Sequence, residues 1–159
     1  IQNPKSSIVT VDGDLTYDWG SGSYTSSKAL LMKDKTFMGN GPETSLTFEG
    51  YGSANAIYDV DLMNLTVRDE TVGDDENAWE HGYLEFVNLK AYNVTFEDDI
   101  MLSGDCTLVD CTFNNVKPSW YAAWIEGGNV QLVNCPFNGT HTAGNIRSLK
   151  AGACSCCRT

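Results

Sequence analysis

The sequence predicts an all-β fold, a parallel solenoid of about five rungs with three short strands in each. Two observations carry that expectation. The first is an eight-residue pattern that recurs four times: Val60-Asp61-Leu62-Met63-Asn64-Leu65-Thr66-Val67, residues 89–96, residues 106–113 and residues 130–137. Each copy reads apolar, polar, apolar, any, Asn or Asp, apolar, small polar, apolar, with Asn64, Asn93, Asp110 and Asn134 at the fifth place. Period-two alternation marks a half-buried strand. The alternation slips by one at the Asn or Asp, and a slip within one continuous strand would send every later side chain to the opposite face. Two short strands joined by a sharp bend keep both apolar sets inward, and Asn and Asp suit such a bend because they tolerate left-handed backbone angles. The second observation is that extra residues fall between these runs while the strand pattern survives, as in a solenoid with insertions on its loops. A sandwich of hairpins would need regular two-residue Asn-Gly or Asp-Gly connections, which the chain lacks.

Taken in order, residues 1–23 are expected to form an amino-terminal cap, with Ile8 and Thr10 alternating against Val9 and Val11. Residues 24–149 form the solenoid. Leu30 and Met32 are expected in the second-strand column, and Leu46-Thr47-Phe48 as the first strand of its rung. Further first strands are Leu84-Glu85-Phe86, Ile100-Met101-Leu102 and Ala123-Trp124-Ile125. Residues 49–59 read as a long connection, as do 69–83, 114–122 and 138–145. The third-strand column predicts a stack of Phe96, Phe113 and Phe137. Ile146 opens an incomplete further rung, and residues 150–159 are a Cys-rich tail that leaves the carboxyl end poorly covered.

At its opening the chain carries Gly22-Ser23-Tyr24, then Leu30-Leu31-Met32, a run ending in Gly39-Asn40-Gly41, and Thr44-Ser45-Leu46. These elements, with the Asn-bearing turns that follow, resemble the right-handed parallel β-helices of the pectin-lyase-like superfamily over roughly residues 20–145. The resemblance implies right-handed coiling. It implies no particular activity, because many unrelated functions share the scaffold.

Composition narrows the partners. The 159 residues carry a net charge of −11, which disfavours nucleic acid and anionic membrane surfaces alike. The longest apolar run, residues 121–125, is far short of the roughly 20 residues that cross a bilayer, so no membrane insertion is expected. Ile1 is not an initiator Met, so a processed or trimmed chain is expected. Of six cysteines, Cys106, Cys111 and Cys135 sit in strand patterns and are expected to pack as small hydrophobes. Cys154, Cys156 and Cys157 lack the spacing of a zinc site and read equally as a frayed end with reactive thiols, a link to another copy or an internal bridge; the open carboxyl end is a second place for another copy to dock.

The search for chemistry turns on the outward faces. The positions expected there are Thr47, Glu85, Met101 and Trp124 on first strands, then Asp61, Lys90, Thr107 and Gln131 on second strands. Third strands present Thr66, Thr95, Thr112 and Pro136, and the Thr row reads as a solvated face. The Asp, Gly-His-Gly and Arg-x-Lys motifs of polygalacturonases are absent. No catalytic set, metal site or cofactor is therefore expected. If the chain were instead an acidic-polysaccharide lyase or glycoside hydrolase, or part of one, the acids in play would be Glu85, Asp98, Asp99 and Glu126. Binding is expected at loop aromatics and histidines: Trp79, His81, Trp120, Tyr121 and His141, with Trp124 beside them. Glu126-Gly127-Gly128-Asn129 reads as a glycine turn and not a phosphate cradle. Of the sequons, only Asn138 reads as lying in a loop. The expected function is binding or assembly on an extracellular, cell or virion surface, as an adhesin, tail-fibre or filament component, with a surface glycan or a protein as partner.

Overall fold

The computed structural model describes residues 8–18, 32–51, 55–72, 84–97, 100–114, 123–138 and 146–148. Among them there is no helix. The strands are β1 (Ile8–Thr10), β2 (Asp14–Asp18), β3 (Thr36–Met38), β4 (Ser45–Tyr51), β5 (Asn55–Tyr58), β6 (Asp61–Val72), β7 (Leu84–Val87) and β8 (Lys90–Glu97). They continue as β9 (Ile100–Ser103), β10 (Asp105–Val109), β11 (Thr112–Asn114), β12 (Ala123–Ile125), β13 (Asn129–Val133), β14 (Phe137–Asn138) and β15 (Ile146–Ser148). Every strand pairing among them is parallel.

The pairings sort into three ladders. One holds β5, β7, β9, β12 and β15. The second runs β1, β3, the start of β6, the start of β8, β10 and β13. The third runs β2, β4, the later part of β6, the later part of β8, β11 and β14. From β5 onward the chain visits the first, second and third ladders in turn and then returns to the first.

The bend residues explain how one strand serves two ladders. Asn64, Asn93, Asp110 and Asn134 take φ of 52°, 53°, 54° and 53°, the left-handed region expected from their sequence position. Each flips the alternation, so Leu62 and Leu65, or Ala91 and Val94, are all buried. A second corner, between the first and second ladders, carries its own left-handed residues: Asp34 at 58°, Asp59 at 53°, Asn88 at 59° and Gly104 at 71°. That corner is absent from the sequence reading, although an Asx or Gly stands just ahead of each second strand.

In-register stacking builds the core. The third ladder aligns Leu15, Leu46, Val67, Phe96, Phe113 and Phe137 on its inner side. Phe96 and Phe113 stack at 5.2 Å with planes 18° apart, and Phe113 and Phe137 at 4.4 Å and 2°. Phe86 of the first ladder meets Phe48 and Phe96 edge-on, at 6.4 and 6.2 Å. Cys106 and Cys111 are fully buried and Cys135 packs against the same core; all are free thiols, as their strand positions suggest.

Several placements differ from the sequence reading. Leu46 and Phe48 belong to the third ladder, not the first, because the bend at residues 39–44 turns the chain immediately after β3 and sets Leu46 beside Val67. The first ladder begins instead with β5, inside the span read as connection. In the second column Phe37 of β3 takes the inward place, while Met32 is buried in the turn before it; Leu30 lies outside the described residues. The segment read as a cap holds β1 and β2, which extend the second and third ladders. Thr66 is not solvated: it is buried beneath the 39–44 bend, where its hydroxyl donates to the Pro42 carbonyl at 3.0 Å.

Truncating the middle ring of the stack, Phe113→Ala, is expected to cost about 3–5 kcal/mol in urea unfolding. At the bend, Asn93→Ala forces a Cβ-bearing residue without local polar help into the left-handed region and is expected to cost about 1–3 kcal/mol, with Asn93→Gly costing less. Equal losses in the two Asn93 variants would assign the effect to the side-chain hydrogen bond and not to the backbone.

Candidate functional site

The sequence-derived candidates scatter. Trp79, His81, Trp120, Tyr121 and His141 lie outside the described residues, as do Asp98, Asp99, Cys154, Cys156 and Cys157. Trp124 stands on the outer side of the first ladder, in register with Met101 and Arg147. Glu85 is in the same row, where its carboxylate accepts a 2.7 Å hydrogen bond from the Ser103 hydroxyl. Glu126 follows β12, with β9 between it and the strand of Glu85, so the structure does not set these acids face to face. Asn138 lies in β14 and not in a loop, and its side-chain amide donates to Asn114 at 3.0 Å. Among the described residues no group of three or more His, Cys, Asp or Glu is arranged to hold a metal. No helix among them is long and apolar enough to cross a membrane.

What the fold does assemble is the outer side of the second ladder. One row in register is Thr36, Asp61, Lys90, Thr107 and Gln131, to which β1 adds the exposed, apolar Ile8. Two residues further along, β3 to β13 supply a second row of five, Met38, Met63, Tyr92, Val109 and Val133, which β1 continues with the polar Thr10. All five of that second row are apolar or aromatic, yet they face outward, with Tyr92 39% and Val133 48% exposed. Strand spacing of about 4.8 Å makes the stripe roughly 19 Å long. Sequence reasoning missed it because the residue preceding each Asn or Asp was the unconstrained position of the pattern. Listing Met63, Tyr92, Val109 and Val133 side by side is the signal that would have found it.

Beside the stripe, the polar row and the corner before it form a cleft of about 600 Å³ lined by Asp34, Lys35, Thr36, Asp59, Asp61, Asn88, Lys90 and Asp105. Its wall is held by side-chain bonds that run from strand to strand. The Asn88 amide donates to Asp59 at 2.9 Å, and the Asp105 N–H donates to the Asn88 side chain at 3.0 Å. Lys33 approaches Asp59 at 3.5 Å. On the far side of the stripe the bend residues bond likewise, Asn93 to Asn64 at 3.0 Å and Asn134 to Asp110 at 2.6 Å. The stripe is therefore bordered on both sides by carboxylates and amides. On the third ladder Arg68 pairs with Glu97 at 2.7 Å. That hydrogen bond pushes the guanidinium pKa up, so Arg68 stays charged.

The corner widens toward the carboxyl end. Where Asn88 stands at the corner of β7 and β8, the corner of β9 and β10 has Gly104 and Asp105, and that of β12 and β13 has Gly127, Gly128 and Asn129. Gly128 has φ 91°, and a Cβ there would run into the Gly104 backbone. No protein-family model, curated protein or solved structure matches the chain.

Gly128→Ala must push backbone against backbone at a positive φ, and the expected loss is about 1–3 kcal/mol or more in urea unfolding. Gly127→Ala, with open space around it, is the comparison that separates the clash from the φ penalty.

Proposed function

We propose that the chain coils as a right-handed parallel β-helix of the pectin-lyase-like kind and acts without catalysis as a binding module on an extracellular, cell or virion surface. Handedness follows from the crossovers that join parallel strands of one sheet, which are right-handed in about 98% of cases. The ligand best suited to the outer side of the second ladder is an extended, uncharged glycan.

The observation that carries this reading is the pairing of two rows from β3 to β13, one apolar and one polar, each supplying one side chain per strand. The rise between strands is close to that between sugars in an extended chain, so successive rings meet equivalent surroundings. Apolar side chains and the Tyr92 ring suit the C–H faces of sugars. The carboxylates of the cleft accept hydrogen bonds from hydroxyls, while Lys35, Lys90 and Asn88 donate. Four Asp residues in the cleft and a net charge of −11 oppose uronate-rich chains.

Calorimetric titration with neutral β-linked oligosaccharides tests the reading. Binding is expected for them and not for oligogalacturonates. Tyr92→Ala is expected to weaken binding about tenfold, or ~1.4 kcal/mol, with Thr95→Ala on the third ladder unchanged. Failure of every neutral glycan to bind overturns the ligand class. Release of reducing ends or unsaturated products, lost in Glu85→Gln, would replace binding with lyase or hydrolase activity.

A further inference from the structure

Cys111 and Cys135 occupy equivalent positions just ahead of β11 and β14, neighbouring strands of the third ladder, each two residues before a stacked phenylalanine, Phe113 and Phe137. The residues before them are also aligned: the Asp110 N–H donates to the Val133 carbonyl at 2.9 Å, and the Asn134 amide donates to Asp110. Each thiol donates to a backbone carbonyl two residues before it, Cys111 to Val109 at 3.4 Å and Cys135 to Val133 at 3.3 Å. Parallel pairing places equivalent Cα atoms about 4.8 Å apart, within the ~4.4–6.8 Å that a disulfide spans. Cys111 is wholly buried, whereas Cys135 is only partly so, which leaves one sulfur open to a small reagent. Cys106 belongs to a different column, on β10, and its thiol turns to the Ser103 carbonyl at 3.2 Å.

We propose that Cys111 and Cys135 are a cross-strand dithiol that closes to a disulfide by exchange with a small disulfide such as oxidised glutathione, stapling β14 to β11. In the first step the Cys135 thiolate attacks one sulfur of oxidised glutathione. A mixed disulfide forms, and one glutathione leaves as thiolate and takes up the proton. In the second step the Cys111 sulfur attacks the Cys135 sulfur, gives up its proton and displaces the second glutathione. Two cysteine thiols are thereby oxidised to one disulfide, and one glutathione disulfide is reduced to two thiols. Cys135 suits the attacking role on chemical grounds too. Its pairing with Cys111 pulls the Cys135 thiol down from the ordinary value, while the same pairing and burial push the Cys111 thiol up. The closed bond ties the last two strands of the third ladder, where Phe137 is only partly buried.

The test uses the full chain carrying Cys154→Ser, Cys156→Ser and Cys157→Ser, incubated with oxidised glutathione, alkylated and digested without reduction. Expected are a linked peptide joining Cys111 to Cys135, a fall of two in the free-thiol count and a higher urea midpoint that dithiothreitol reverses. In the same background Cys111→Ala is expected to stop at the mixed disulfide, leaving glutathione on Cys135. The unsubstituted chain, mapped in parallel, gives the same linked peptide if the triple variant folds poorly. Recovery of both peptides in alkylated form, a link from Cys135 to Cys106, or an unchanged urea midpoint after full linkage would each overturn the proposal.

Discussion

The structure depends on a backbone angle. At Asn64, Asn93, Asp110 and Asn134 the chain enters the left-handed region, with φ between 52° and 54°, and leaves it one residue later. That single step exchanges the two faces of the strand, so the apolar residues on either side of the bend both point inward. Without it, either Leu65, Val94 and Cys111 or the residues preceding the bend would turn to solvent. The side chains at these positions do a second job by bonding to one another between strands, as Asn93 does to Asn64 and Asn134 to Asp110. One residue type thus sets both the direction of the chain and the alignment of one strand on the next.

Alignment then propagates to everything else. Parallel in-register pairing places chemically similar side chains in rows, because the same position of the pattern recurs on each strand. Inside, this yields the Phe96, Phe113 and Phe137 stack, whose centroids of 5.2 and 4.4 Å track the strand spacing. Outside, it yields the apolar row from Met38 to Val133 and the polar row from Thr36 to Gln131. A surface that repeats with strand spacing is matched to an elongated ligand with a repeat of its own. The same repetition sets Cys111 against Cys135, although neither lies in a motif that marks a redox pair.

The corners do not all obey one template. The corner between the first and second ladders gains residues from one strand pair to the next, from Asn88 to the three residues Gly127, Gly128 and Asn129. Glycine is needed where the longer corners lie on one another, since Gly128 meets the Gly104 backbone directly. Near the amino end, the bend at residues 39–44 folds over the outer side of the third ladder and buries Thr66. The corner residues Asn88 and Asp105 line the cleft beside Asp59 and Lys90, and the 39–44 bend breaks the equivalence of the outward Thr row that alternation alone would suggest.

Much of this was legible in the residues. A slip of alternation at Asn or Asp has one cheap structural solution, a left-handed bend between two inward-facing strands, so the bends, the Phe stack and the buried cysteines follow from local chemistry. The outward places of Glu85, Met101 and Trp124, and of Asp61, Lys90, Thr107 and Gln131, follow from it as well. Ladder membership does not, because Leu46-Thr47-Phe48 alternates identically whether it pairs with β6 or with β7. Only the tertiary path of the 39–44 bend decides, and it places this segment in the third ladder. The outward apolar stripe and the cleft were likewise hidden, since each gathers residues from strands far apart in sequence, and only their register brings Met63, Tyr92 and Val133 together. Local alternation determined what each strand buries. Which strand lies on which, and therefore which side chains meet on the surface, is a long-range choice that the winding of the chain alone makes.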